Sequence, residues 1–186
     1  MAGFIDQIKL NTGSFLLNRK FKRSNRKREL INLNLAENIG IICHINSEEQ
    51  FKLLNKLAKE LTSNRRKVLL VGFVNDKEIP DYCVVAGPGY YFTQQDINWF
   101  GIPKNDYILK FMEKDLDILL DLTRDDNFTT QYIVALSKAK LKTGQQSIKK
   151  EPFLDVMIKM DNSHSMNDFI TQTLHYLTLL KNRQHG

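Results

Sequence analysis

Eight polar side chains stand at or just after the ends of predicted strands, where together they could bind a ligand. In an open parallel sheet, ligands lie beyond the carboxyl ends of the strands. The residues at those ends are His44, Asn46, Asn75, Asp76, Asp121, Thr123, Arg124 and Asn127. Their imidazole, amide, hydroxyl and charged groups suit the recognition of a small polar molecule. Ordinary turn and helix-cap chemistry is the competing interpretation of Asp121, Arg124 and Asp125.

A cluster of cations near the N-terminus is the second feature with chemical meaning. Residues 1–30 hold 8 of the 27 Lys and Arg but only 2 of the 21 Asp and Glu, so the whole net charge of +6 lies there. Seven of these cations fall within residues 18–28, and they are Arg19, Lys20, Lys22, Arg23, Arg26, Lys27 and Arg28. Clustered cations bind polyanions by releasing counterions. The expected partners are therefore RNA, an anionic membrane surface or an acidic protein.

The competing interpretation of this basic arm is a solvated helix docked on the rest of the protein. Phe4, Ile8 and Phe15 have helix-compatible spacing and would form the docking face, although Gly13 interrupts the pattern. Two helical pieces, or one fraying helix, are expected. Phe21 is the only aromatic residue within the basic run, so the sequence offers little for base stacking there.

Motifs for catalysis and cofactor binding are missing from the sequence. There is no GxGxxG after a strand, no Walker loop, no GxSxG elbow and no HExxH. Cys43 and Cys83 lack the spacing of a metal or redox pair and are expected to be reduced core thiols. Ordinary core or surface roles are expected for the four histidines, which are His44, His164, His175 and His185. We predict no catalytic residue, no metal site and no cofactor.

The segment 115–144 organises the predicted elements that would position these side chains. Residues 116–122 are nearly all apolar, which is typical of a strand covered on both faces of a parallel sheet. A polar turn follows, and Asn127 is the predicted N-cap of an amphipathic helix that Gly144 would end. Residues 38–45, 47–63 and 67–74 predict a strand, a helix and a strand joined as a right-handed βαβ unit.

Three further segments complete the pattern. Residues 82–100 predict short antiparallel strands around Gly87-Pro88-Gly89, with Trp99 at least half buried against the sheet. Residues 140–151 are expected to form an exposed loop. A strand at 153–160 and a helix at 163–182 close the sequence.

These elements predict an α/β fold, an open, mostly parallel Rossmann-like or flavodoxin-like three-layer sandwich. Residues 1–32 would form the basic helical arm, and residues 33–186 a single α/β domain. The N-terminus lacks a signal-peptide pattern, and no apolar run approaches the roughly 18 residues of a membrane span. A cytoplasmic location is therefore expected.

Three stretches resemble a known group of sequences. They are DINWFGIP at 96–103, DILLDL at 117–122 and ALSKAKLKTG at 135–144. Over residues 33–180 the sequence resembles a family of short, uncharacterised bacterial proteins, which implies a stand-alone cytoplasmic α/β domain and no assigned activity. The order of strand, polar turn, helix and basic segment is similar, more weakly, to the N-terminal half of bacterial heptosyltransferases. This sequence is too short for the second domain of those enzymes, so that likeness implies fold alone.

Two hypotheses of function follow from these observations. The first is a noncatalytic binding or adaptor protein whose basic arm contacts a polyanion or an acidic partner. The alternative is a small-molecule binding domain, for a nucleotide or sugar nucleotide, or a degenerate transferase that uses the strand-end cleft. A ligand that binds the native state raises its melting temperature, so a thermal shift with nucleotides separates the two.

Overall fold

A computed structural model describes residues 2–63, 65–84, 87–161 and 163–181. Its strands are β1 (Asn38–Ile45), β2 (Lys67–Val74), β3 (Gly89–Phe92), β4 (Ile118–Asp121), β5 (Leu141–Gln145) and β6 (Val156–Ile158). Its α-helices are α1 (Ala2–Phe21), α2 (Glu48–Leu61), α3 (Asp81–Val84), α4 (Asp106–Met112), α5 (Phe128–Leu136) and α6 (Met166–Leu179). Short 3₁₀ turns occur at Leu33–Leu35 and Gln94–Asp96.

The six strands of the described residues form one sheet in the order β3-β2-β1-β4-β5-β6, and every neighbouring pair is parallel. This order is the Rossmann order rather than the flavodoxin order. The long strand β1 pairs with β2 from Asn38 opposite Lys67 to Ile45 opposite Val74. On its other side it pairs with β4, which itself pairs with β5, so the strand predicted within residues 116–122 lies inside the sheet. The strand order reverses between β1 and β4.

Helices cover both faces of the sheet, which gives the predicted three layers. Phe51 and Leu54 of α2 pack with Phe169 of α6 on one face. On the other face, Leu17 of α1, Phe111 of α4 and Ile133 of α5 share a core. Each strand of a parallel sheet is therefore buried on both sides, which explains the nearly continuous apolar runs of β1, β2 and β4.

Local signals in the sequence placed several helix ends correctly. The side chain of Ser47 accepts a hydrogen bond from Gln50 N at the start of α2, and Asn127 caps α5 through Thr130 N. Ser165 and Asp168 form a reciprocal capping box at the start of α6. The helix predicted at 163–182 is too long at both ends, because α6 runs from Met166 to Leu179 and residues 180 and 181 are not helical; residue 182 itself lies outside the described residues.

The predicted helix end at Gly144 is wrong, and the predicted exposed loop at 140–151 is wrong for residues 141–145, whereas residues 146–151 do form a mostly exposed loop. Helix α5 ends at Leu136, and Leu141–Gln145 is strand β5, paired with β4. The polar residues of β5 gave no sign in the sequence that this strand is buried. Lys142 is nevertheless buried, and its Nζ donates a hydrogen bond inside the protein, to the carbonyl of Ala135 (3.0 Å). After α5 the chain therefore re-enters the sheet as β5.

Two predictions for residues 82–100 are also wrong. The segment contains the short helix α3 and one strand, β3, which runs parallel to β2 rather than antiparallel to a neighbour. The side chain of Trp99 is 55% exposed. It packs edge-on against Phe100, while Tyr91 and Phe92 provide the buried aromatic surface of this region.

The N-terminal arm docks differently from the prediction. Helix α1 runs unbroken through Gly13, where a Cβ atom would lie 2.9 Å from the carbonyl oxygen of Phe100. Leu17 is buried, whereas Ile8 and Phe15 are exposed, so those two residues are not the docking face. The side chain of Phe4 lies outside the described part of the structure. Among the described residues, no helix has the length and apolar character needed to cross a bilayer.

Candidate functional site

Three of the eight predicted cleft residues meet where β1 and β4 end side by side. His44 lies near the end of β1, Asp121 ends β4, and Thr123 lies two residues into the loop that follows; all three are buried. The backbone N–H of His44 donates to the Thr123 hydroxyl (3.1 Å), and the Thr123 N–H donates to Asp121 Oδ1 (3.0 Å). In this fold, the reversal of strand order opens a crevice at such a point.

His44 is held by a carboxylate that the sequence pattern did not assign to it. Its Nδ1 lies 2.6 Å from Oδ2 of Asp125, and its ring stacks on Phe73 with centroids 5.6 Å apart. Burial alone would raise the pKa of Asp125, but the hydrogen bond and charge of His44 outweigh it and hold that pKa below its usual value. Within the described residues, the buried Nε2 of His44 has no hydrogen-bond partner.

A buried lysine completes this cluster from a distant part of the chain. Lys150, in the loop after β5, places Nζ 2.9 Å from Asp121 Oδ2 and donates to the carbonyl of Thr123 (2.7 Å). Both side chains of the ion pair are almost fully buried. The sequence reading missed Lys150 because it belongs to a basic pair, Lys149-Lys150, of the kind found on surfaces. Only its long-range partner Asp121 distinguishes it.

The thiol of Cys43 lies beside the same cluster and stays protonated. Burial raises its pKa well above the usual value, and the negative charges of Asp121 and Asp125 raise it further. Its thiol donates a hydrogen bond to the carbonyl of Leu122 (3.3 Å), and its sulfur accepts one from Gln50 Nε2 (3.4 Å). The geometry is that of a structural thiol and not of a nucleophile.

The remaining predicted cleft residues are not brought to the cluster. Arg124 donates to the carbonyls of Asp161 (3.0 Å) and His164 and so ties the β4 loop to the start of α6. Asn127 is occupied as the cap of α5. The predicted residues Asn46, Asn75 and Asp76 are exposed.

Two cavities at this end of the sheet are lined by three of the eight predicted residues. One, of about 500 Å³, is lined in part by Asn75, Asn127 and Trp99. The other, of about 750 Å³, lies between the first turns of α2 and α6 and is lined in part by Arg124. Neither lining includes the buried cluster of His44, Asp121 and Thr123. No group of acidic, histidine or cysteine side chains among the described residues is arranged to hold a metal ion.

The seven predicted contact residues of the arm lie in different environments. Lys20 donates to the hydroxyl of Tyr132 (2.9 Å), and its Nζ lies 5.6 Å from the centre of that ring. Five others are exposed, and they are Arg19, Lys22, Arg23, Lys27 and Arg28. Within the described parts of the chain, no carboxylate oxygen lies within 4.0 Å of the cationic groups of Arg19, Lys22 or Arg23.

Arg26 differs from the other cations of the arm because its side chain is buried and stabilises the fold. Its guanidinium is mostly buried and forms two hydrogen bonds with the carboxylate of Asp155, at 2.8 and 2.7 Å. It also donates to the carbonyls of Ala139 and Lys140. A guanidinium used in this way is not available to a polyanion, so we leave Arg26 out of the candidate contact surface.

A second buried cation, Lys142, shares this neighbourhood. Burial lowers the pKa of Lys142 to about 7, and the positive charge of Arg26 also lowers it, while Asp155 raises it. Asp155 accepts a hydrogen bond from the backbone N–H of Lys142 (2.8 Å) as well as from Arg26. The carboxylate of Asp155 thus joins the arm to β5.

Comparison with known proteins identifies the family. The sequence matches the family of unknown function DUF6913 over residues 9–180, and the chain belongs to that family. No curated protein matches the sequence. Among solved structures, the chain is similar to a glycosyl transferase family 9 protein from Veillonella parvula, with a TM-score of 0.48 and 12% identity. The alignment covers 85% of this chain and 45% of that one, so the chain spans less than half of that protein's length.

Proposed function

We propose that this protein is a noncatalytic binding or adaptor protein whose arm engages a polyanion or an acidic partner. The observation that carries the proposal is the group of exposed cations Arg19, Lys22 and Arg23, which have no carboxylate partner in the described residues. Clustered cations without internal partners are available to an anionic surface. The residues beyond position 30 have balanced charge.

The arm presents these cations from a fixed position. Leu17 is buried against the core, and the buried pair of Arg26 and Asp155 anchors the segment that follows α1. The N–H of Glu29 donates to the carbonyl of Lys140 (3.1 Å), and Ile31 is buried. Cations held in this way lose less conformational freedom on binding than those of a disordered tail.

The test is a salt titration of heparin binding by matched triple variants of the full chain. Arg19→Gln/Lys22→Gln/Arg23→Gln removes the exposed arm cations. Its control lowers the net charge equally with Gln at three exposed lysines elsewhere, Lys104, Lys110 and Lys114. We expect the arm variant to bind about tenfold or more weakly at low salt, with a shallower salt dependence, and the control to bind nearly as wild type. Equal losses in both variants, or no binding by wild type, would contradict the proposal.

The strand-end cleft supports a second candidate function, the binding of a small planar molecule such as a nucleotide or sugar nucleotide. The exposed ring of Trp99 lies in the wall of the 500 Å³ cavity beside the amides of Asn75, Gln94 and Asn98. A rigid aromatic surface with a few convergent polar groups is typical of such sites. Saturable quenching of Trp99 emission by a nucleotide, together with a raised melting temperature, would support this function, and no response to a nucleotide panel would count against it.

We propose that the protein acts in the cytoplasm. Cys43 and Cys83 are free and buried, and neither is paired in a disulfide. Burial raises the pKa of Cys83 to about 11, so its thiol is also protonated at neutral pH. Unpaired thiols suit a reducing compartment.

A further inference from the structure

Helix α1 has apolar side chains on the face that points away from the core. A helix docked by one apolar stripe normally shows polar residues on its opposite face. The docking side of α1 contains Gly13 and Leu17. On the opposite side, Phe15 is 66% exposed and Ile8 is 42% exposed. These two residues are seven positions apart and therefore lie on the same face of the helix.

Cations border this exposed apolar face. Arg19 lies four positions after Phe15, so it extends the same face by one turn. Lys22 and Arg23 follow where the helix ends, and all three side chains are exposed. Exposed apolar side chains next to cations can attach a helix to an anionic bilayer through two additive contributions, apolar burial and attraction to the headgroups. The apolar groups enter the acyl boundary while the cations contact lipid headgroups.

The environments of Phe21 and Ile8 favour a membrane over RNA as the anionic partner. Phe21, the aromatic residue within the basic run, packs edge-on against Phe153 with ring centroids 4.8 Å apart and is partly buried. It is not a free stacking platform for bases. Ile8 has no ring to stack, but its burial in lipid would be favourable.

We propose that the outer face of α1 binds an anionic membrane surface, with Ile8 and Phe15 inserted and Arg19, Lys22 and Arg23 at the headgroups. This inference rests on the proposed function of the arm and names its partner. The helix lies along the interface and does not cross it. Both forces are required, because two apolar side chains or a few exposed cations alone give only weak attachment.

The experiment measures binding of the full chain to phosphatidylglycerol-containing vesicles at physiological salt. Ile8→Gln/Phe15→Gln keeps the charge of the arm and removes its apolar face. Its control, Leu35→Gln/Leu179→Gln, changes two apolar residues elsewhere that are also exposed, at 63% and 60%. We expect the first variant to bind about tenfold or more weakly to vesicles with unchanged heparin binding, and the control to bind as wild type.

A fluorescent variant reports insertion directly. In Phe15→Trp/Trp99→Phe the single tryptophan should shift its emission to shorter wavelength with anionic vesicles, and lipids brominated near the headgroup should quench it. Emission that stays unshifted, or binding to single-stranded RNA that Ile8→Gln/Phe15→Gln weakens as much as vesicle binding, would overturn the membrane assignment. Loss of heparin binding in Arg19→Gln/Lys22→Gln/Arg23→Gln would still uphold the proposed function of the arm in that case.

Discussion

Neighbouring cations of this chain occupy opposite environments. Arg23 is exposed, while Arg26, three residues later, is buried against Asp155. Likewise Lys149 forms an exposed ion pair with Asp126, while Lys150 forms a buried one with Asp121. The comparison shows that the position of each cation relative to the sheet, and not its residue type, decides whether it stabilises the fold or can meet a partner.

The energetic difference between the two environments is large. Removing one member of a buried ion pair leaves the other charge without compensation, which costs about 3–5 kcal/mol. An exposed pair contributes about 0–1 kcal/mol, because water screens both charges. Within each pair of neighbouring residues, the exposed cation therefore serves as the control for the buried one.

The largest effect is expected at Asp155. Asp155→Ala should lower the free energy of unfolding by about 3–5 kcal/mol, since Arg26 would remain buried without its carboxylate. Asp126→Ala, which breaks the exposed pair with Lys149, should cost less than about 1 kcal/mol. Urea denaturation of both variants measures the difference, and similar losses would mean that the burial of Arg26 does not matter energetically.

Adjacent lysines provide the next comparison. Lys150→Ala should destabilise the protein by about 3 kcal/mol, because it leaves the buried carboxylate of Asp121 without its cation. Lys149→Ala should change stability by less than about 1 kcal/mol. The two variants are compared by their urea midpoints. An equal response would show that the cluster at the ends of β1 and β4 does not depend on Lys150.

The buried side chain of Lys142 should make the free energy of unfolding depend on pH. Its pKa is about 7 in the folded protein, against an ordinary value of 10.5, so the unfolded chain binds more protons between these two pH values. The free energy of unfolding should therefore rise with pH across this window, by roughly 1–3 kcal/mol from this group, and its burial penalty is fully present below pH 7. Lys142→Met should remove the rise relative to wild type. Parallel stability curves for the two proteins from pH 7 to 10 would rule this out.

The smallest effect on stability is expected for the exposed arm cations. Arg19→Gln/Lys22→Gln/Arg23→Gln should change the free energy of unfolding by less than about 0.5 kcal/mol, because these side chains have no internal partner in the described residues. Thermal and urea unfolding check this together with the binding assays. A strong destabilisation would show that these cations belong with Arg26 and not with a partner surface.

The sequence predicted features that depend on neighbouring residues. Strand β2 was predicted at its observed limits, because residues 68–74 after Lys67 form a continuous apolar run. The cap at Asn127 was predicted correctly because its hydrogen bond reaches only three residues along the chain. The sheet class followed from the alternation of such strands and helices.

The sequence did not predict features that depend on distant partners. Strand β5 has a polar pattern, and its identity comes from pairing with β4 and from the internal hydrogen bond of Lys142. The contact of Asp125 with His44 and the membership of Lys150 in the strand-end cluster were not predicted, because the partners are 81 and 27 or more positions away. The exposure of Phe15 depends on which face of α1 can approach closely, and Gly13 determines that face.

The contact between Arg26 and Asp155 also has a consequence for the order of folding. The two residues are 129 positions apart, so they close one of the longest loops in the chain. Contacts of such high sequence separation form late, after local units have paid the cost of ordering. During synthesis, residue 155 appears long after the arm has left the ribosome. The segment that follows α1 therefore stays without its Asp155 anchor until residue 155 has been synthesised, when only β6 and α6 remain to be added among the described elements.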